Sequence, residues 1–182
     1  MPSIFSHAIF ATVVGRALTR AQVPVRFWVL TALCSMLPDA DVAGFAFGIR
    51  YGSLFGHRGI THSILFALLV GVAIGIFAFR SSRVGLSTTA LIIYFTLVTL
   101  SHPLLDMMTD GGSGVALFAP FSAERYFLPW RPIEVSPIGM RFFSQRGLEV
   151  IESEIVWVWL PALVLLLAAW LYRKLQRSLR RG

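Results

Sequence analysis

Cysteine is all but missing: Cys34 is the only one in 182 residues, so no internal disulfide and no paired-cysteine zinc motif can form. It lies in an apolar run, which points to packing. Charge is scarce as well, 14% of residues against about a quarter in a soluble domain. Acidic residues are scarcer still, nine against 16 Lys and Arg. There is no glycine-rich phosphate loop, nucleophile elbow or internal repeat, which argues against P-loop nucleotide chemistry, a serine hydrolase and a transporter of inverted halves. The N-terminus has no basic lead and carries His7 inside its first apolar run, so it is not expected to act as a cleaved signal peptide.

What remains is grease. The chain is 56% hydrophobic with mean hydropathy +0.73, the composition of an integral membrane protein. Ser63–Phe79, Leu86–Leu105 and Ile155–Tyr172 are long enough, or nearly so, to cross a hydrocarbon core of about 30 Å as helices; the last contains Pro161, which a membrane helix tolerates. Two shorter apolar stretches, Ile4–Leu18 and Phe27–Leu37, span or half-span. The expected fold is an all-α membrane bundle of about five helices, two of them short. It forms one domain over residues 1–182, with an interfacial loop at about 111–147 and a basic tail at 173–182.

The cations fall on one side of this arrangement. If all five segments cross, one face holds Arg16, Arg20, Arg26, Arg80, Arg83, Arg173, Lys174, Arg177, Arg180 and Arg181 and no carboxylate; the other holds every carboxylate. The positive-inside rule puts the first face in the cytoplasm. The tail RKLQRSLRR then reads as an anchor near anionic lipid, and the net charge of +7 does not imply nucleic-acid binding.

On the opposite, extracytoplasmic side lie all four histidines, His7, His57, His62 and His102, and all four aspartates, Asp39, Asp41, Asp106 and Asp110. Singly, each could be a cap or a wetted interface residue. Eight of them at the ends of separate apolar segments argue for function, because ionisable groups at a membrane segment are costly and need partners. In SHPLLD, His102 and Asp106 are four apart and share a helix face, the spacing of paired metal ligands. Pro103 between them can open a new helical turn. In LPDAD, Pro38 disfavours continuing the helix past Leu37, so Asp39 and Asp41 can cap, ligate, or serve as base to a metal-activated water. In GHRGITHS, Gly56 and Gly59 allow a tight backbone around His57, Thr61 or Ser63 can cap the next helix, His62 sits at its first turn, and Arg58 is placed for an anion.

Residues 111–147 are too polar and proline-rich to span. Their aromatics, with Arg125 and Arg131, suit an interfacial lid or anchor that also offers cations to a phosphate or carboxylate. Glu149, Glu152 and Glu154 read as a solvated helix start.

SHAIF around His7, then LPDAD, HRGITHS and SHPLLDMMTDGG followed by LFAPF resemble, in that order, the YdjM-like family of inner-membrane proteins described as metal-dependent hydrolases. A more distant likeness is to the zinc-dependent phospholipase C enzymes, through the order His, Asp, His, His-x-x-x-Asp. That likeness implies one metal held by an Asp of the Asp39/Asp41 pair, one of His57 and His62, His102 and Asp106, and a second between His7 and Asp106. The later His-x-x-x-Glu of a three-metal set is missing, so two ions are the most it supports.

The expected protein is an inner-membrane hydrolase with one or two zinc ions, manganese or iron also being compatible with nitrogen and oxygen ligands. His7, Asp39, Asp41, His57, His62, His102, Asp106 and Asp110 are the candidate ligands, and Asp39 or Asp41 the base. Arg58, Arg125 and Arg131 would hold an anionic headgroup, and the substrate would be a lipid phosphoester. The rivals are a metal-binding or transport protein without turnover and a regulatory scaffold acting through the basic tail.

Overall fold

The computed structural model describes residues 1–80 and 84–180; Arg83 and Arg181, counted above on the basic face, lie outside the described residues. Six α-helices follow one another: α1 (Ile4–Leu18), α2 (Val25–Met36), α3 (Ile64–Ala73), α4 (Thr88–Met107), α5 (Gln145–Glu154) and α6 (Leu160–Leu179). The last two are joined by a π turn, Ile155–Trp159, into one helical run of 35 residues. The described residues therefore hold five helical rods, three of them long and apolar enough to cross a membrane and two, Ile4–Leu18 and Ile64–Ala78, shorter.

Which rods are short differs from the expectation. The second one does not stop at Leu37: its α-helix ends at Met36, and a 3-10 helix, Leu37–Phe47, carries the chain on, giving 23 helical residues. Pro38 sits in the first turn of the 3-10 segment, where the helix changes its hydrogen-bond pattern. Pro103, by contrast, lies inside an unbroken α4. Pro161 cannot donate to Trp157, and the helix absorbs the loss in the π turn just upstream.

Serines set the helix starts. Ser3, Ser63 and Ser87 cap α1, α3 and α4, each hydroxyl accepting the amide three residues on, from Ser6, Phe66 and Ala90. Gly71 on α3 and Gly75, one turn on in the π-helical continuation Ile74–Ala78, let the backbone lie against α4; a Cβ at either would run into Thr96 or Ile92. Phe27, Leu91, Phe95 and Val98, with Cys34, form the buried core of the bundle, which bears out the packing role of the cysteine. Leu163, Val164, Leu167 and Leu171 of α6 face outward, as a lipid-facing surface does.

Alternating rods put the start of α1, the end of α2, the start of α3, the end of α4 and the start of the final run at one end of the bundle. The segment after α4 folds back over that end. Leu128 N–H bonds Met107 C=O at 2.9 Å, Ala116 N–H bonds Arg58 C=O at 3.0 Å, and Ile64 N–H bonds Leu117 C=O at 3.0 Å. Val115 and Ile133 are wholly buried beneath it. At the opposite end Arg16, Arg20, Arg173, Arg177 and Arg180 line one cleft.

Candidate metal centre

The buried end of the bundle collects its His and Asp side chains from four helix ends. His7 comes from the first turn of α1 and Asp39 from the 3-10 helix after α2. His62 comes from a 3-10 turn, Ile60–His62, just ahead of α3, and His102 and Asp106 from the last turns of α4. All five are buried. Asp39 and Asp41 stand two apart on a helix of about three residues per turn, so they point in different directions and have different neighbours.

Four ligand atoms converge. His102 Nε2 lies 3.1 Å from His62 Nε2, 3.3 Å from Asp39 Oδ1 and 4.0 Å from Asp106 Oδ2. His62 Nε2 lies 3.6 Å from Asp39 Oδ1 and 3.5 Å from Asp106 Oδ2. A tetrahedral ion with ligands at about 2.0–2.1 Å has ligand–ligand edges of about 3.3–3.4 Å. The group has the right size.

The tautomers also fit. His102 Nδ1 is 2.7 Å from the Ser35 carbonyl, which can only accept, so Nδ1 carries the hydrogen and Nε2 presents a lone pair. His62 Nδ1 lies 3.2 Å from Asp41 Oδ2 and 3.0 Å from Thr61 Oγ1, which itself donates to Asp41 at 2.6 Å; its Nε2 is likewise left bare. With both rings neutral, as ligation requires, the two Nε2 lone pairs aim at each other. Neither oxygen of Asp39 has a hydrogen-bond partner, and a buried carboxylate so placed is costly without a cation; Asp106 has Arg58 Nε 3.1 Å from its Oδ2. Burial lowers the His62 pKa, but the carboxylates of Asp106, Asp39 and Asp41 outweigh it and raise the group to about 10. The set attracts positive charge, and its four atoms lie close enough together to hold a metal ion.

Asp41 is different. Its carboxylate accepts from Thr61 and from the Arg58 amide at 3.2 Å, and lies 2.7 Å from His57 Nδ1. Together Asp41, His57 and His62 form a second set with atoms close enough for an ion, although this carboxylate is already satisfied. His7 stacks on His102 with ring centroids 3.7 Å apart. Its Nε2 is 3.4 Å from Asp106 Oδ1, and both its nitrogens are unpartnered.

The arginines are not where an anion would meet all of them. Arg58 is completely buried. Its Nε lies 3.1 Å from Asp106 Oδ2, and its terminal nitrogens donate to Gly111 C=O at 3.1 Å and Thr109 Oγ1 at 3.0 Å. It is also the one residue other than glycine with positive φ, 61°, among the described residues, a conformation that needs support from its surroundings. Gly56 and Gly59 flank it, and a Cβ on either would strike the carbonyls of the Arg50–Gly56 turn. Arg125 spends its donors on the carbonyls of His57, Gly114, Tyr51 and Ser53. Arg131 is exposed and lies over the Phe127 ring at 4.7 Å.

Two carboxylates were placed differently from expectation. Asp110 is exposed and accepts the Val135 amide at 2.8 Å, pinning the covering segment rather than joining the ligands. Glu154, expected in solvent, is buried; it accepts from the amide and hydroxyl of Ser3 and from Ser6 Oγ at 2.6 Å, while Trp159 Nε1 donates to the same Ser6 hydroxyl at 2.6 Å. The signal for it was periodic: Val150, Glu154, Val158 and Ala162 are one buried stripe at spacing four.

No solved structure matches the chain. The Inner membrane protein YbcI of Escherichia coli (strain K12) is 41% identical over 175 residues, covering 96% of this chain and 100% of that protein. The YdjM inner membrane protein family matches residues 1–177, and this multi-pass membrane chain belongs to it.

Proposed function

We propose that the chain is an inner-membrane, metal-dependent hydrolase that cleaves a phosphoester of a lipid, or of another membrane-associated anion, at the extracytoplasmic face. The observation that carries the reading is the pair of bare Nε2 atoms of His62 and His102, 3.1 Å apart, beside the carboxylate of Asp39, which has no hydrogen-bond donor, and that of Asp106, which Arg58 faces. Zinc suits two imidazoles and two carboxylates; bound there with a water as an added ligand, it would supply Lewis acidity and bring the pKa of that water to about 7.

The side chains divide the remaining work. Asp39, His62, His102 and Asp106 would hold the ion. Asp41 fixes the tautomer of His62 and the ring of His57, and Arg58 holds Asp106. Asp39 has a second oxygen free to take the proton of an attacking water, so it is the base in this reading, with Asp41 as a positioning residue. Among the three arginines, Arg131 keeps its donors available for an anion. His7, against Asp106, is placed for a second ion.

Burial of every ligand also suits a closed binding or transport site without turnover, since structural metal sites are closed and catalytic ones keep an open position. Asp39 favours the enzyme, because it also borders an open cavity. Elemental mass spectrometry of the purified protein, beside folded His62→Ala and His102→Ala, tests the metal. One or two equivalents, lost in both variants, are expected, and no metal after reloading would sink both readings. Turnover across a panel of lipid phosphoesters, abolished in Asp39→Asn, then separates the enzyme from the binding protein.

A further inference from the structure

The cavity that Asp39 borders has a volume of about 450 Å³ and lies between the first turn of α1, the 3-10 helix after α2 and residues 136–143. Its polarity is graded. Ser3, Asp39 and Ser136 line it and are themselves buried, at 3%, 7% and 8% exposure, whereas Phe5, Met140 and Phe143 line it at 52%, 81% and 74%. Ile4, Val42 and Ile138 also line it. The buried end is polar and touches the metal ligand set; the open end is apolar and belongs to the first turn of one membrane helix and the segment leading into another.

An apolar trough of this size does not hold water favourably, and the medium beside a membrane helix is hydrocarbon. We propose that the groove seats one alkyl chain of a membrane lipid, which enters sideways between Phe5 and Met140 and brings the polar end of the lipid to Asp39. The chain gains little by leaving other chains, which are as apolar as the groove. What the groove supplies is direction and depth: an amphiphile lying in it has its polar group at the buried, Asp39 end. Its role in substrate selection rests on the hydrolase reading, under which a membrane amphiphile is turned over and a water-soluble phosphoester of the same headgroup is not. Chain binding itself does not depend on metal.

The test uses the full chain in nanodiscs of phosphatidylethanolamine and phosphatidylglycerol, with a trace of phosphatidylglycerol bearing a diazirine at the end of one acyl chain. Photolysis and peptide mass spectrometry should find adducts at Ile4, Phe5 and residues 138–143 in at least fivefold excess over Leu163, Val164 and Leu167, exposed leucines and valine of α6. Ile4→Trp and Met140→Trp, both at exposed positions, should each reduce the groove adducts at least fivefold and leave those of α6 unchanged. Equal labelling of groove and α6, groove labelling that neither monodisperse variant alters, or a Met140 photoprobe that captures a second copy of the chain would overturn the proposal. Metal content measured on the same samples separates the two readings. Groove adducts on metal-free wild type support the chain site and remove the hydrolase, while bound metal without groove adducts does the reverse.

Discussion

His62 and His102 meet Nε2 to Nε2 at 3.1 Å, each with its other ring nitrogen committed, His102 to the Ser35 carbonyl and His62 to Asp41 and Thr61. Without metal, a proton has to sit between them, and the surrounding carboxylates keep it on His62 up to about pH 10. Ligation needs the neutral ring, so binding must expel that proton. The sign follows. The raised pKa means the proton is held throughout pH 7–9, and metal affinity should climb about tenfold per pH unit across that range and fall toward acid. Calorimetry of zinc binding in two buffers of unlike ionisation enthalpy should report about one proton released; zero would mean that His62 is already neutral or does not ligate.

Arg58→Ala removes the cation facing Asp106 and leaves its carboxylate without that partner. Loss of a partner that holds a ligand typically weakens metal binding about 10–100-fold, and that is the expected range, read by competition with a chelator. Arg58→Lys should rescue little, because one ammonium cannot reach Asp106, Gly111 and Thr109 together. Wild-type affinity in Arg58→Lys would show that only the charge matters.

Glu154 ties the start of α1 to the last helix through Ser3 and Ser6, next to His7. Glu154→Ala should cost about 3 kcal/mol, since it strands several buried donors of a charged acceptor, and lower the thermal midpoint in detergent by roughly 5–10 °C. The tetrahedral ligand set lies on other helices, so metal content should survive. An unchanged midpoint would mean that these bonds do not hold the helices together.

The buried His and Asp cluster was legible in the sequence because a charge in an apolar chain is conspicuous, and alternating helices send successive segment ends to one side. His7, Asp39, His62, His102 and Asp106 meet for that reason. The roles of Asp41 and Arg58 were not legible. Asp41 depends on the 3-10 geometry that turns it away from Asp39, and Arg58 on a positive φ and on residues 109–111 returning to it. Glu154 was masked by Glu149 and Glu152, which belong to the same short acidic run but remain solvated. Asp110 looked like its neighbour Asp106, yet it lies past the end of α4 and off the shared face.

Orientation can be read from outside. Cys34 is buried in the helix core, so a cysteine introduced at exposed Ala123 should be the reactive thiol. An impermeant maleimide should label Ala123→Cys in cells whose outer membrane has been opened. Labelling only after the inner membrane is lysed would turn the topology over and place the site in the cytoplasm.

Asp39 and Asp41 provide the sharpest discrimination, because they are two residues apart and are assigned different work. Asp39→Asn keeps the shape but removes an anionic ligand and the free oxygen that takes the proton. Turnover should fall at least a thousandfold and should not return at saturating metal, consistent with loss of acid–base catalysis, about 10²–10⁴-fold on its own, compounded by a weakened site. Asp41→Asn leaves the four ligand atoms in place and loosens the tautomer and ring of His62. Its metal affinity should fall about 10–100-fold, and excess metal should restore most of the rate. If the two variants were exchanged in this behaviour, with Asp41→Asn dead at saturating metal and Asp39→Asn rescued, the base would be Asp41 and the working ion would lie in the set formed by Asp41, His57 and His62.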